Sequence, residues 1–131
     1  MSQNTIYNNE ASPLYVKSKL FAERIIKMVR YIKREREKEF SPLHNQVLRS
    51  GTSIYANVSE SQFAQTPADF ITKLHISLKE ANETKSWLHM LFSGGSITQQ
   101  EHDSMLSDLS EIIAILVSSI KTIKKTSGLG K

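Results

Sequence analysis

At 131 residues, with 39% apolar residues and no cysteine, the chain is sized for one domain around one core, and a disulfide scaffold, a zinc finger and a thiol nucleophile are all excluded. Its net charge of +4 admits a polyanionic partner without requiring one. No segment approaches 18 uninterrupted apolar residues, and the opening MSQNTIYNNEASP has no basic start followed by an apolar run, so a soluble, cytoplasmic protein with no membrane contact is expected.

Residues 1–12, polar and rich in Asn, read as a disordered arm. Ser12-Pro13 then signals a helix start, because Ser caps and Pro fits the first turn. From Leu14 the apolar residues Phe21, Ile25, Met28 or Val29, and Ile32 recur at three and four, and the pattern runs to about Lys38. Ser41-Pro42 repeats the start signal and opens a second helix that ends near Ser61. On that helix Val47, Gly51, Ile54 and Val58 form a core face, flanked by Leu48 and Tyr55. Its other side carries Gln46, Arg49, Ser53, Asn57 and Glu60, a face with charges only toward its ends. Such a face is either merely solvated or in close contact with something else.

Thr66-Pro67-Ala68-Asp69 is a third start, with Asp placed well for the helix dipole. Phe70, Leu74, Leu78, Ala81, Leu88 and Phe92 make the expected core stripe up to Ser93. A second apolar strip, Ile76, Trp87 and Met90, lies well away from that line and is interleaved with Glu80 and Glu83. Either Trp87 packs over the edge of a neighbouring helix, or the strip joins the polar back of helix two in a subunit interface, where aromatic and Met residues concentrate. We read Gln46, Arg49, Ser53, Asn57, Glu60, Ile76, Glu83, Trp87 and Met90 as that interface. Gly94-Gly95 breaks the chain, and Thr98 with Glu101 is a capping box opening a fourth helix. Its stripe of Met105 or Leu106, Leu109, Ile112 or Ile113, Leu116, Ile120 and Ile123 runs to about residue 126, leaving 127–131 as a flexible tail. Four helices with short connections specify an all-α, antiparallel up-down-up-down four-helix bundle over residues 13–126.

The run Gln46, Arg49, Ser50, Ser53, Ile54, Asn57 and Glu60, followed by Phe70, Leu74 and Glu83, resembles the four helix bundle protein family encoded in intervening sequences of bacterial 23S ribosomal RNA genes. The likeness extends from about Pro13 to Thr126. The chain departs from the family pattern at Ser59-Glu60-Ser61, where Ala-Glu-Gly is common. The resemblance implies a bundle that assembles into a ring, often of five subunits, with a role near RNA. A related accessory protein of diversity-generating retroelements binds nucleic acid and a reverse transcriptase.

Charge is concentrated: residues 17–38 hold nine Lys or Arg against three Glu, leaving +6. Lys19, Lys27, Arg30, Arg34 and Lys38 fall together opposite the core stripe, with Glu23 among them. This face is either ordinary solvated surface or a site for phosphates. It carries no aromatic residues at fixed intervals, so contact with RNA would go to phosphates and shape rather than sequence. None of His44, His75, His89 and His102 stands at the spacing of a helical metal pair, and no phosphate loop is present. No metal, cofactor or catalytic residue is therefore expected. Two functions remain: a non-catalytic RNA-associated accessory, or a scaffold that binds a protein partner.

Overall fold

The computed structural model describes residues 9–36 and 41–128. They form four helices and no strand: α1 (Pro13–Glu35), α2 (Ser41–Ser61), α3 (Pro67–Ser93) and α4 (Gln99–Ser127). Local chemistry sets the boundaries. Ser12 accepts from the Tyr15 amide and Thr66 from the Asp69 amide, each with proline in the first turn. At α4 the Thr98 hydroxyl accepts from the Glu101 amide while the Glu101 carboxylate accepts from the Thr98 amide, a reciprocal capping box. Gly95 (φ 86°) turns the chain after α3, and Gly128 (φ 77°) caps α4, left-handed conformations that cost glycine nothing. The departure at Ser61 is resolved without glycine. There α2 exits by three successive i to i+3 bonds, from the amides of Gln62, Phe63 and Ala64 to Ser59, Glu60 and Ser61.

Consecutive helices pack against one another, and α4 returns to α1. Bonds between α2 and α3 join Glu60 to Lys73, Ser77 to the Ile54 carbonyl and Thr84 to Ser50, so the two run antiparallel. Lys17 with Glu111, Arg24 with Asp108 and Arg36 with Glu101 establish the same for α1 and α4. Tyr15 and Tyr55, with hydroxyls 2.9 Å apart, and Ile25 against Gly51 do so for α1 and α2. The architecture is thus an up-down-up-down bundle. The carbonyl of Asn9, in the segment read as an arm, accepts from the Gln62 side-chain amide at 2.9 Å, and Ser127 closes α4.

The core contains Phe21, Ile25, Val29 and Ile32 of α1, Val47, Ile54 and Val58 of α2, and Met105, Leu109, Ile112 and Leu116 of α4. On α3 the buried line is Ile71, Leu74, Ser77, Ala81, Thr84, Leu88 and Leu91, while Phe70, Leu78 and Phe92 are only half-buried. Leu74, Ala81 and Leu88 of the expected stripe are thus buried, whereas Ile71, Ser77, Thr84 and Leu91 complete the line in place of Phe70, Leu78 and Phe92. The difference arises because α3 buries hydroxyls against α2: Ser77, Thr84 and Ser50 are fully buried and hydrogen-bonded.

The Thr84 hydroxyl has one proton, which its position gives to the Glu80 carbonyl at 2.8 Å, leaving it to accept from Ser50. Thr84→Val strands the Ser50 hydroxyl in a dry seam, and we expect a loss of about 1–3 kcal/mol. Adding Ser50→Ala should recover most of that loss, since two apolar groups then face each other. Urea unfolding of the singles and the double checks this, and a double mutant as unstable as the sum would exclude the pairing.

Candidate nucleic-acid interface

Helix α1 carries two populations of cations that composition does not separate. Lys17, Arg24 and Arg36 cross to α4. Lys17 meets Glu111 at 3.3 Å, Arg24 meets Asp108 at 2.7 Å and the Ser104 side chain at 2.6 Å, and Arg36 grips both oxygens of Glu101 at 2.8 and 3.1 Å. Such bidentate contacts are among the stronger surface pairs. Lys19, Lys27 and Arg30 instead project from the outward face, exposed, and form no ion pair among the described residues. Arg34 lies on the same face but meets Glu35 at 2.6 Å, which lowers its availability. Lys38 lies outside the described residues. Glu23 sits exposed between Lys19 and Lys27 without closing on either. The face also holds Val16, Leu20 and, at its edge, Tyr31, all exposed; the Tyr31 ring lies 4.9 Å from the Arg36 guanidinium. Its aromatic character was not read from the sequence, because one Tyr makes no periodic pattern.

Arg36 sets the protonation of its partner. Its guanidinium, with the Thr98 amide, holds the Glu101 carboxyl down at about 2, well below the ordinary carboxylate range. A depressed acid contributes stability above its unfolded value and loses it as pH falls through its folded value, here between about pH 4.5 and 2. Glu101→Gln keeps the cap's geometry and removes the charge, so the melting-temperature gap between parent and variant should close across that window. A gap unchanged from pH 7 to pH 2 would show that the pair is not what titrates.

The residues read as an interface fall mainly along the α2–α3 seam. Arg49, exposed on α2, reaches Glu80 at 3.1 Å, Glu83 and Gln46, and Glu83 also accepts from the Trp87 indole at 3.0 Å. Glu60 pairs with Lys73 at 2.8 Å. Ser53 and Asn57, half-buried, bond back to the Arg49 and Ser53 carbonyls of their own helix. The structure thus joins Gln46, Arg49, Glu83 and Trp87 into one network within a single chain and places Ser53, Asn57 and Glu60 beside it. Trp87 is half-buried and packs on the core. Ile76 and Met90 on α3 remain 37% and 51% exposed, an apolar remainder that the bundle leaves uncovered.

Two histidines that no spacing connects do meet: His89 of α3 and His102 of α4 have ring centroids 6.2 Å apart, and Phe92 stacks on His102. His44 is fully buried and His75 exposed. Among the described residues no three potential ligands are grouped to hold a metal ion, and no helix is long and apolar enough to cross a membrane.

The family model of the 23S rRNA-intervening sequence proteins matches residues 10–118, from the turn before α1 into the last third of α4. The chain belongs to this family. A crystal structure from Bacteroides thetaiotaomicron VPI-5482, of a protein with unknown function from the S23 ribosomal protein family, is 45% identical to it. The match covers 82% of this chain and 95% of that one, with a TM-score of 0.79. No curated protein matches the chain. The residues that match the 23S rRNA-intervening sequence family include the polar run on α2, whose Arg49 and Glu60 both find their partners on α3.

Proposed function

We propose that this protein is a non-catalytic, cytoplasmic accessory of structured RNA, assembled as a homo-oligomer with a pentamer favoured, that holds RNA phosphates on the outward face of α1. The observation that carries this reading is the division of α1: cations facing α4 are neutralised by its carboxylates, whereas Lys19, Lys27 and Arg30 stand exposed with no ion-pair partner among the described residues. Free cations grouped on one helix are the electrostatic footprint of a polyanion site. The family's description as 23S rRNA-intervening sequence proteins supports RNA as that polyanion. A non-catalytic role is supported by the carboxylates of the seam, since Glu60, Glu80 and Glu83 are each engaged by Lys73 or Arg49. Oligomerisation is supported by the exposed Ile76 and Met90 beside Trp87, and a ring would let several modest patches engage one RNA at once.

Titration of a structured RNA hairpin across a salt series tests the proposal. Binding should weaken with salt at about −0.7 to −0.9 in log–log slope per phosphate contact, so at about −2 to −3 for each protomer that engages. Sedimentation of the same sample should give a species several times the 14.8 kDa protomer. Should no salt-dependent binding occur, the exposed Ile76–Met90 surface favours the second reading, a scaffold for a protein partner without nucleic-acid contact.

A further inference from the structure

Helices α1 and α4 touch far less than the other neighbouring pairs, and three ion pairs among the described residues bridge them. Between the Arg24–Asp108 and Arg36–Glu101 bridges they leave a groove of about 350 Å³, within the range of pockets that hold small organic groups. Its floor is apolar: Ile32, Ile97 and Met105 are buried and Met28 half-buried. One wall is Tyr31, 43% exposed. The Arg36 guanidinium lies over the Tyr31 ring at 4.9 Å and is itself anchored on Glu101 and the Ser96 carbonyl, so the wall is ordered before any ligand arrives. The rim carries Arg24, Lys27 and Arg36, and its one carboxylate among the described residues, Glu101, is committed to Arg36 and the Thr98 amide. Lys27 has no ion-pair partner among the described residues and lies one helical turn from Tyr31 and next to Arg30 on the outward face.

An apolar slot with an ordered aromatic wall and a net positive rim fits a flat ring that carries a phosphate. We infer that the α1–α4 groove takes one unpaired nucleotide of an RNA strand, its base against Tyr31 and the Met28–Met105 floor and its phosphate toward Lys27 and Arg30. The inference rests on the RNA reading above and adds a preference to it. Base stacking on aromatic side chains requires a base free of its partner, whereas phosphate contacts alone do not distinguish paired from single-stranded RNA. A strand is favoured over a free nucleotide because the groove opens onto the Lys27–Arg30–Lys19 strip, where neighbouring phosphates of the same chain find their cations.

The full chain contains four methionines, and two of them, Met28 and Met105, line the groove while Met90 lies on α3 away from it. With methionine methyls labelled by carbon-13, decauridylate should shift the Met28 and Met105 resonances and leave Met90 in place, and a fully paired duplex of the same length should shift neither. Tyr31→Ala should weaken decauridylate binding by about 5- to 150-fold, the worth of one stacked base, with duplex binding and the salt slope unchanged. Tyr31→Phe should bind like the parent. If both RNAs bind while Met28 and Met105 stay silent, or if Tyr31→Ala weakens both probes alike, the groove assignment is overturned and the phosphate reading survives. If neither RNA binds, both fall together.

Discussion

Changing Lys27, Arg30 and Arg34 together to Glu should abolish retention of structured RNA at low salt while the bundle stays folded and assembled. All three side chains are exposed on the outward face of α1, away from its buried line of Phe21, Ile25, Val29 and Ile32. Surface changes of this kind usually move stability by about 0.5 kcal/mol or less each. Acidic residues toward a helix C-terminus add a few tenths of a kcal/mol of dipole penalty, so a small fall in melting temperature is expected. Binding should respond far more. Each lost phosphate contact is worth about 1 kcal/mol in water, and reversal replaces attraction by repulsion, so three sites amount to on the order of 100-fold or more per protomer. Arg34 should contribute least, because Glu35 already holds it. A filter-retention assay on parent and variant, with sedimentation as the assembly control, decides the matter: equal binding by the two would remove α1 from the RNA site.

Gly51→Leu should cost about 3 kcal/mol, at the upper end for overpacking a core, and lower the melting temperature by roughly 10 °C. Gly51 is buried where α2 crosses α1, and even a methyl group there would lie 2.9, 3.1 and 3.2 Å from three carbons of Ile25. Ile25 is fully buried and has nowhere to retreat. Glycine normally weakens a helix by up to about 1 kcal/mol. Here that cost permits the close approach that lets Ile25 fill the α1–α2 contact. Ile25→Ala alone should lose about 2–5 kcal/mol by leaving a cavity. In the double variant the leucine enters the vacated space, and the loss should fall short of the two singles' sum by more than about 0.5 kcal/mol. Strict additivity in denaturant unfolding would show that the two side chains do not compete for one volume.

Whatever depends on residues within one turn of each other is legible along the chain. Ser12, Thr66 and Thr98 mark helix starts because a cap needs only a hydroxyl and amides two or three residues on, and each makes that bond. Val47, Gly51, Ile54 and Val58 are buried as their spacing requires, because a helix converts sequence interval directly into direction. The rest lies between helices and is set by packing. Ser50, Ser77 and Thr84 look like surface residues by type, yet they are buried because each finds a hydrogen-bond partner on the facing helix or its own backbone. The nine basic residues of 17–38 are alike in the sequence. Arg34 meets the adjacent Glu35, but the neutralisation of Lys17, Arg24 and Arg36 depends on carboxylates that follow 65 to 94 positions later on α4. The same return of α4 to α1 opens the groove beside Tyr31 and brings His89 to His102 across α3 and α4. No interval along the chain encodes these meetings, because they follow from how four amphipathic helices close around one core.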